Sequence, residues 1–330
     1  MDTANRKLPL IAVVGPTASG KTALGIALAK RLNGEVVSAD SMQVYEGMDI
    51  ATAKPTSAEM DGVPHHLIGY VSCTQRYSAA RFVADARAVI AQIAARGRQP
   101  ILVGGAGLYV NSLVDNIKFA EESGDPAVRQ ALQNRLEREG AQALLEELKR
   151  IDPACAVKLH PNNAKRVVRA LEIYYNTGMT MSEQVRRSRQ EAPEYQPFLL
   201  GIRFENRQAL YDRINQRVDI MLKNGLVEEA QKSFISGLCQ TAVQAIGHKE
   251  LFPYFRGEAT LEACVETLKR ETRRYAKRQM TWFSRDSRIR WISADGKNKE
   301  KILEEANQEL ENSGYYDIIG QAGAQLAVFG

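Results

Sequence analysis

The 330-residue sequence predicts an α/β fold, in which a P-loop-type parallel sheet core is flanked by helices and carries a helical insertion domain. Short apolar runs alternate with amphipathic helical runs from residue 8 to about residue 115, as is typical of a parallel sheet covered by helices. A glycine-rich loop, GPTASGKT, joins the first apolar run to the first helix. From about residue 118 only helical patterns occur, and this change predicts the insertion.

The first part of the core contains three predicted strands and two predicted helices. In chain order these are a strand over LPLIAVV, a helix from Lys21 to Leu32, a strand over EVVSAD, a helix from Ala79 to Ala95, and a strand over PILVGG. Gly34 and Gly97 follow the two helices, where a left-handed residue commonly ends a helix. The segment therefore has the repeating strand and helix order of a parallel sheet.

The insertion is predicted from its helix starts. Asp125-Pro126 is typical of an N-cap followed by a first helical residue, and a broadly helical apolar pattern continues to about Arg150. Asp152-Pro153 and Asn162-Asn163 predict the starts of two further helices. The segment 182–197 is polar without a clear apolar stripe, so we predict a mobile connection or an exposed helix edge there.

The chain then returns to the core. FLLGIRF predicts a core strand, helices resume at Arg207 and continue to Trp282, and RIRWISA predicts a short strand. We divide the sequence accordingly. The four parts are the first part of the P-loop core (1–117), the helical insertion (118–197), the return to the core with C-terminal helices (198–295), and a tail without an assigned role (296–330).

Composition excludes several classes of protein. No stretch reaches the roughly 18 to 20 uninterrupted apolar residues that a membrane span requires. MDTANRK lacks the basic and apolar regions of a signal peptide, so we expect a cytoplasmic protein with no membrane partner. The four cysteines form no C-x-x-C pair and the four histidines have no metal-ligand spacing, so the thiols are expected to be reduced and structural.

Positive charge is concentrated near the C-terminal end of the second core segment. Between Glu266 and Arg290 the sequence contains nine lysines and arginines against three acidic residues. Residues 270, 274 and 278 recur every four positions and so form one basic helix face. A solvated surface without function is one interpretation of this face. The adjacent Trp282 and Phe283, together with an anion-binding loop elsewhere, favour a polyanion such as nucleic acid.

The loop GPTASGKT matches the motif G-x-x-x-x-G-K-[ST] between a predicted strand and a predicted helix. Gly15 and Gly20 allow the backbone to curl so that its N–H groups point at phosphate oxygens. Lys21 supplies a positive charge, and the hydroxyl of Thr22 is a candidate ligand of Mg²⁺. The motif predicts a site for a diphosphate-like anion, but it does not show whether that phosphate is transferred.

A P-loop kinase usually has a second strand that ends in an aspartate which helps to hold magnesium. The corresponding strand, PILVGGAGLY, ends in Gly104-Gly105 without a carboxylate, which disfavours phosphoryl transfer. The nearest well-placed carboxylate is Asp40, at the end of EVVSAD, a strand that we predict beside the P-loop strand. The alternative role of Asp40 is that of a turn or helix cap.

Eight segments, in order, resemble the tRNA dimethylallyltransferase family, also called the tRNA isopentenyltransferase family. The similarity extends over roughly residues 8 to 293 and is more specific than the P-loop alone. The segments are GPTASGKT, SADSMQVYEGMDIATAKPT, GVPHHL, YSAARFVADA, PILVGGAGLY, LHPNNAKRVVRALEIYYNTG, QAIGHKEL and RRYAKRQMTWFSRDSRIRWI.

The resemblance implies an enzyme in which the P-loop holds the diphosphate of dimethylallyl diphosphate as the leaving group. The exocyclic amine of adenine 37, in the anticodon stem-loop of tRNA, then attacks the allylic carbon. The family pattern makes Asp40 the candidate general base, and Lys21, Arg217 and Mg²⁺ at Thr22 the groups that stabilise the leaving diphosphate. The residues implied to bind diphosphate are Gly15, Thr17, Ala18, Ser19, Gly20, Lys21 and Thr22.

The resemblance also implies contacts with tRNA. The implied residues are Asp40, Ser41, Met42, Gln43, Ala106, Arg129, Lys165, Arg166, Arg169, Gly247, His248 and Lys249. An amide such as that of Gln43 can recognise the edge of an extruded adenine. Lys165, Arg166 and Arg169 lie within about one turn of a predicted helix and suit phosphates better than bases.

Three positions depart from the pattern of this family. Ala106 stands where threonine is usual, Lys165 where glutamine is common, and His248 where tyrosine is common. The loss of the threonine hydroxyl is expected to slow catalysis or weaken the positioning of tRNA. None of the three lies in the P-loop or at Asp40, so the implied reaction is unchanged.

Three other functions compete with the one implied by the resemblance. A prenyltransferase acting on free adenine nucleotides would not need the basic residues of the insertion, such as Arg129 and Arg166. A P-loop small-molecule kinase is disfavoured by the missing carboxylate, and a pure RNA-binding protein would retain its effect when Lys21 is replaced by alanine. We expect a monomer, because nothing in the sequence indicates an obligate partner.

Overall fold

The computed structural model of the chain describes residues 7–117, 125–188, 192–239 and 241–326. The described part of the chain forms two compact units, one of Met1–Leu113 with Glu194–Gly330 and one of Val114–Pro193. The start predicted for the insertion, residue 118, lies outside the described residues. No helix in the described ranges is both long enough and apolar enough to cross a membrane.

The first unit is built on a parallel sheet of six strands, which confirms the predicted α/β class. The strands are β1 (Leu8–Val14), β2 (Gly34–Ser38), β3 (His65–His66), β4 (Gln99–Gly104), β5 (Tyr195–Arg203) and β6 (Arg290–Ser293). Their order across the sheet is β3-β2-β4-β1-β5-β6, and every neighbouring pair is parallel. β1 and β4 are buried along nearly all their length, because helices cover both faces of such a sheet.

One detail of the predicted topology is wrong. We expected the strand that leads to Asp40 to lie beside the P-loop strand, but β4 lies between β2 and β1. The connection from β1 to β2 skips one strand position, and β4 later fills it by pairing with both strands. Sequence order does not determine spatial order in a parallel sheet, because each crossover helix can span more than one strand spacing.

Fourteen helices occur within the described residues. They are α1 (Lys21–Arg31), α2 (Ser57–Met60), α3 (Ala79–Ala95), α4 (Gly107–Val114), α5 (Pro126–Ile151), α6 (Pro153–Ala156), α7 (Ala164–Thr177), α8 (Met181–Ser188), α9 (Arg207–Lys223), α10 (Leu226–Ser236), α11 (Phe252–Phe255), α12 (Leu261–Phe283), α13 (Lys299–Asn312) and α14 (Tyr315–Leu326). α5 is kinked at Gly140, whose backbone is not helical (φ 81°, ψ 165°).

The second unit has its own helical core. The buried faces of α5 and α7 pack together through Leu132, Leu144, Leu148, Val167 and Leu171. Asp125 caps the start of α5 through the backbone N–H of Ala127. The polar segment of residues 182–197 is helical over residues 182–188, within α8, and its last residues, from Tyr195, belong to β5. Residues 189–191 lie outside the described part.

The tail that had no assigned role folds against the sheet. Ala306 and Leu310 of α13 and Tyr315 of α14 are buried in the same apolar cluster as β1 and β5. The backbone N–H of Leu10 donates to the Tyr315 hydroxyl at 2.8 Å, and that hydroxyl donates to the carbonyl of Gln196 at 2.5 Å. The tail therefore completes the core of the first unit.

Candidate active site

The P-loop has the curled backbone that anion binding requires. It follows β1 and ends at Gly20, the N-cap of α1, which has φ 95° and offers no side-chain cap to the first turn. The first N–H groups of α1 are thus left for an external acceptor, at the positive end of the helix dipole. Ser19 is buried against Gly15, and its hydroxyl has no hydrogen-bond partner among the described residues.

Asp40 is placed by an extension of the pairing between β2 and β4. The N–H of Ala39 donates to the carbonyl of Val103 at 2.8 Å, and the carbonyl of Ala39 accepts from the N–H of Ala106 at 3.1 Å. A β-carbon on Gly104 would lie 2.1 Å from the Ala39 carbonyl oxygen. Gly104 is therefore required for the close approach that positions Asp40, which explains why this strand ends in glycine.

One carboxylate oxygen of Asp40 organises the turn that follows it. Oδ1 accepts from the N–H groups of Met42 at 2.9 Å and Gln43 at 3.3 Å. Asp40 therefore does act as a turn cap, the alternative considered from the sequence, but only through Oδ1. Its Oδ2 forms no hydrogen bond with any described residue, so Oδ2 is the oxygen that can accept a proton from a substrate.

A cavity of about 360 Å³ opens at the carboxyl ends of the strands, all of it within the first unit. It brings together Lys21 and Thr22 of the P-loop, Asp40, and Arg217 of α9. One wall is apolar and includes Ile214, Val218, Met221, Ile246 and Leu268. The cavity also contains Thr17, Ser41, Met42, Gln43, Gly247 and Lys249 from the sets predicted from the sequence.

Lys21 and Arg217 are two cations in one confined space. Burial, together with the nearby Arg217 charge, lowers the pKa of Lys21 to about 8, although Asp40 opposes both effects. Burial also lowers the pKa of Arg217, again opposed by Asp40. Two cations beside one carboxylate leave a positive excess, which a bound diphosphate would neutralise.

Gln279 of α12 fixes the P-loop to the end of β4. Its Oε1 accepts from the N–H of Thr17 at 2.8 Å, and its Nε2 donates to the carbonyl of Gly105 at 3.0 Å. A β-carbon on Gly105 would lie 2.1 Å from Nε2, so this contact also depends on glycine. The Thr17 N–H is occupied by Gln279 and the Ser19 N–H donates to the carbonyl of Pro16 at 3.3 Å, so the N–H groups of residues 18 and 20–22 remain as candidates for diphosphate binding.

The side chain of Gln43 is held by the protein itself. Its Nε2 donates to the carbonyls of Thr52 and Ala53, at 3.1 and 3.2 Å, and its Oε1 accepts from the hydroxyl of Ser38 at 3.0 Å. Both N–H donors of the amide are thus used. Gln43 can meet an adenine edge only as an acceptor through the remaining lone pair of Oε1.

Glu229 holds the loop that carries those carbonyls. Its carboxylate accepts from the N–H groups of Asp49, Ile50 and Ala51 at 2.7 to 3.0 Å. His248 Nε2 lies 2.9 Å from the Glu229 carboxylate. Burial raises the pKa of the Glu229 carboxyl group. The hydrogen bonds from His248 and from the backbone N–H groups outweigh burial, so the pKa is lowered overall.

His248 is placed differently from what the resemblance implies. Its side chain is 0% exposed and pairs with Glu229, so the ring is not presented to solvent as a polar or stacking group for RNA. Its neighbours do border the cavity, where the Lys249 ammonium donates to the carbonyl of Gln244 at 3.1 Å. Gly247 has φ 112° and packs against Ala51, where a β-carbon would lie 2.9 Å from the Ala51 β-carbon. The segment of residues 245–250 therefore packs against the loop of residues 49–53 and stabilises it.

The basic residues predicted in the insertion lie on the second unit. Lys165, Arg166 and Arg169 are exposed on α7. Arg169 pairs with Glu172 at 3.1 Å, and Arg129 of α5 lies 4.0 Å from the same carboxylate. Glu172 thus orients two arginines that remain half exposed, an arrangement compatible with phosphate contacts.

Thr22 is the residue that would hold a magnesium ion, in the manner usual for phosphate substrates. Mg²⁺ takes oxygen ligands and is commonly held by one or two protein oxygens together with substrate phosphates and water. The Thr22 hydroxyl and the Asp40 carboxylate both border the cavity, beside the P-loop. No cluster of three or more His, Cys, Asp or Glu side chains suited to a metal occurs in the described ranges.

Sequence reasoning missed the contribution of α12 to the cavity. Leu268, Thr272, Tyr275 and Gln279 recur every three or four residues and line it from one helix face. Burial raises the pKa of the Tyr275 hydroxyl, so this group stays protonated and can donate a hydrogen bond. The spacing of these residues is visible in the sequence. The sequence prediction, however, considered only the basic residues of the same helix.

Fold and cavity define a P-loop α/β protein with a positively charged cavity, and comparison with known proteins identifies its family. A family model described as IPP transferase matches residues 43–286. The chain is 48% identical over 301 residues to a tRNA dimethylallyltransferase from Halalkalibacterium halodurans, covering 90% of this chain and 95% of that protein. The chain belongs to the IPP transferase family.

Solved structures give the same result. The crystal structure of the full-length tRNA isopentenylpyrophosphate transferase from Bacillus halodurans is 46% identical, with a TM-score of 0.69, covering 94% of this chain and 99% of that one. A eukaryotic dimethylallyltransferase acting on tRNA is 30% identical, with a TM-score of 0.77, covering 92% of this chain and 80% of that one. The resemblance inferred from the sequence is thereby confirmed.

Proposed function

We propose that this protein transfers a dimethylallyl group from dimethylallyl diphosphate to the N6 amine of adenosine 37 in tRNA and releases diphosphate. The observation that carries the proposal is the composition of one cavity. It holds an anion-binding P-loop, a carboxylate with a free oxygen at Asp40, and an apolar wall beside them. A phosphoryl donor would need no apolar wall of this kind, whereas an allylic diphosphate has an anionic end and an apolar end.

The cavity suits the donor in two parts. The diphosphate is expected at the N–H groups of residues 18 and 20–22, beside Lys21 and Arg217. The dimethylallyl tail is expected against Val218, Met221 and Leu268, where it leaves water. This orientation turns the allylic carbon towards the open part of the cavity.

The transfer step follows from the same geometry. The N6 nitrogen forms a bond to the allylic carbon, the carbon–oxygen bond breaks, and its electron pair leaves with the diphosphate. Asp40 accepts the N6 proton through Oδ2, while Oδ1 stays bound to the N–H groups of Met42 and Gln43. Lys21 and Arg217 stabilise the charge that develops on the leaving diphosphate. Mg²⁺, when bound at Thr22, supplies further neutralisation of that charge.

The acceptor is proposed to enter as an extruded base. An adenine in the anticodon loop must leave its stack to reach a buried donor. Gln43 can accept from its exocyclic amine, and Ser41 and Met42 border the same part of the cavity. The exposed Arg129, Lys165, Arg166 and Arg169 are proposed to contact tRNA phosphates.

The test is product analysis by mass spectrometry. An anticodon stem-loop RNA with adenine at position 37 is incubated with the protein, Mg²⁺ and dimethylallyl diphosphate, and parallel reactions contain free AMP in place of RNA or ATP in place of the prenyl donor. We expect a gain of one dimethylallyl group on adenosine 37 and equimolar release of diphosphate, with no gain for Asp40→Ala. Modification of AMP alone, or transfer of phosphate from ATP, would overturn the proposal.

We also propose that one chain suffices for activity, because a single chain supplies the P-loop, Asp40 and Arg217 in one cavity. Light scattering during size-exclusion chromatography, in the assay buffer, should give the mass of one chain, 36.7 kDa. Activity that falls on dilution in step with loss of a dimer would contradict this.

A further inference from the structure

Helix α12 carries an exposed tryptophan one turn beyond Arg278, a residue that lines the cavity. Trp282 is 39% exposed, whereas its neighbour Phe283 is buried. The aromatic pair that the sequence presented as one feature thus divides into a core residue and a surface residue. An exposed tryptophan fixed in one orientation is a common means of binding an unstacked base.

The orientation of the Trp282 ring is fixed by two contacts. A β-carbon on Gly107 would lie 2.2 to 2.6 Å from three atoms of the five-membered ring, so the indole packs directly on this glycine. The indole N–H donates to Asn111 Oδ1 at 2.9 Å. The indole ring therefore packs on Gly107, and its hydrogen bond to Asn111 prevents it from rotating.

The ring lies next to the groups that position the general base. Ala106 precedes Gly107 and donates its N–H to the carbonyl of Ala39, the residue before Asp40. Arg278, one turn before Trp282 on α12, borders the cavity itself. An adenine bound at Asp40 would bring its neighbours in the RNA chain towards this end of α12.

The charge around Trp282 identifies the class of partner. Lys277, Arg278 and Arg285 are exposed on the same part of α12 and just beyond it. Among the described residues, Lys277 and Arg285 have no ion pair, in contrast to Arg274, which pairs with Glu271 at 2.6 Å. Unpaired cations around an exposed aromatic ring suit RNA, which offers a base to the ring and phosphates to the cations.

We propose that Trp282 is a stacking platform for a base of the anticodon loop next to the extruded adenosine, and that Lys277 and Arg285 bind the adjoining phosphates. The inference rests on the proposed function and deepens its RNA site. Stacking holds the loop in an opened form while the target base occupies the cavity. Trp282 is thus a binding residue for RNA, without a role at the reacting atoms.

The first experiment measures stem-loop RNA binding and steady-state kinetics for Trp282→Leu and Trp282→Phe. Loss of one stacked base should weaken RNA binding by roughly 5- to 150-fold in Trp282→Leu, with most affinity kept in Trp282→Phe. The KM for dimethylallyl diphosphate should not change. Tyr254→Leu is the matched control, because Tyr254 is exposed to a similar extent, 41%, on another helix.

Salt dependence separates stacking from charge. Lys277→Gln and Arg285→Gln should each reduce the slope of log affinity against log salt concentration by about 0.7 to 1, whereas Trp282→Leu should leave the slope unchanged. Abasic nucleotides are then substituted one at a time around position 37. At one position, loss of the base should weaken RNA binding by the wild-type protein but have no further effect on RNA binding by Trp282→Leu. That position is the stacked base.

Fluorescence gives a direct readout, because the chain has only two tryptophans. In a Trp291→Phe background, saturating RNA should quench the emission of Trp282. Wild-type-like RNA affinity in Trp282→Leu, or unchanged emission on RNA binding, would overturn the inference. If the wild-type protein prenylates RNA and these variants are unaffected, the proposed function stands and only the platform is wrong.

Discussion

At the scale of single residues, the charge of Lys21 depends on pH around a lowered pKa of about 8. Burial and Arg217 lower its pKa to about 8 in the absence of substrate. The protonated form is the one that binds diphosphate, and it is lost as pH rises through that value. A bound diphosphate favours the charged form and raises the pKa again.

The expected result is a fall in kcat/KM for dimethylallyl diphosphate above about pH 8, while kcat at saturating donor falls only at higher pH. Initial rates at limiting and saturating donor measure the two profiles. In Lys21→Arg the guanidinium stays charged, so the fall near pH 8 should disappear whatever the absolute rate. A fall at the same pH in Lys21→Arg would assign it to another group.

Ala106 lies at the N-cap of α4, since its carbonyl accepts from the N–H groups of Tyr109 and Val110. Alanine has no side-chain acceptor for the first turn, whereas threonine does. Ala106→Thr should therefore raise the free energy of unfolding by about 0.5 to 1 kcal/mol. Urea unfolding measures this, with Ala106→Val as a control that adds the branched bulk without the oxygen. Equal effects of Thr and Val would contradict the capping account.

Some residues of the site could be predicted from sequence and others could not. Lys21, Thr22 and Asp40 are in or near contiguous motifs, and the structure brings them into one cavity with Arg217. Gln279 and Glu229 escaped prediction, because each acts on backbone groups far away in the sequence, at Thr17 and at residues 49–51. Such contacts arise from packing, which leaves no local pattern.

At the scale of elements, hydrogen bonds of the loop of residues 49–53 link Glu229 of α10 to Gln43, in the turn that follows Asp40. Glu229 binds three N–H groups of this loop, and the loop carbonyls bind Gln43. Glu229→Gln leaves a single acceptor oxygen and places an NH₂ group against backbone donors. The free energy of unfolding should fall by about 1 to 3 kcal/mol.

The same substitution should raise the KM for RNA more than the KM for the prenyl donor, because Gln43 loses its support. Thermal unfolding and steady-state kinetics measure the two effects. Glu228→Gln, an exposed neighbour on α10, is the control and should change neither. A loss of stability without any change in the KM for RNA would make Glu229 purely structural.

Element types were predictable and their spatial order was not. β1, β4 and β5 are apolar runs bounded by helix signals, so their nature follows from local sequence. The position of β4 between β1 and β2 depends on how the connecting helices cross the two faces of the sheet. Gly104 at the end of β4 packs closely on Ala39, which follows β2 and precedes Asp40. Asp40 therefore reaches the cavity because β2 and β4 are neighbours in the sheet.

At the scale of the whole molecule, the C-terminal helices belong to the sheet core of the first unit. The Tyr315 hydroxyl joins β1 to β5 through Leu10 and Gln196. Tyr315→Phe would leave the buried N–H of Leu10 without this acceptor and should lower the free energy of unfolding by about 1 to 3 kcal/mol.

Tyr316→Phe is the matched control for this substitution. It removes a partly buried hydrogen bond to Asn307 between the two C-terminal helices, without a link to the sheet. Its effect on urea unfolding should be smaller, about 0.5 to 1.5 kcal/mol. Equal effects of the two substitutions would mean that the link to β1 and β5 has no special weight.

The central claim is that Asp40 removes the N6 proton while the P-loop retains the leaving diphosphate. Single-turnover prenylation of the stem-loop RNA by Asp40→Asn tests it most directly, since asparagine keeps an oxygen for Met42 and Gln43 but cannot take the proton. We predict a rate about 10²- to 10⁴-fold lower, with RNA and donor affinities within a few-fold of wild type. A wild-type rate, or a loss explained wholly by weaker binding, would contradict the account.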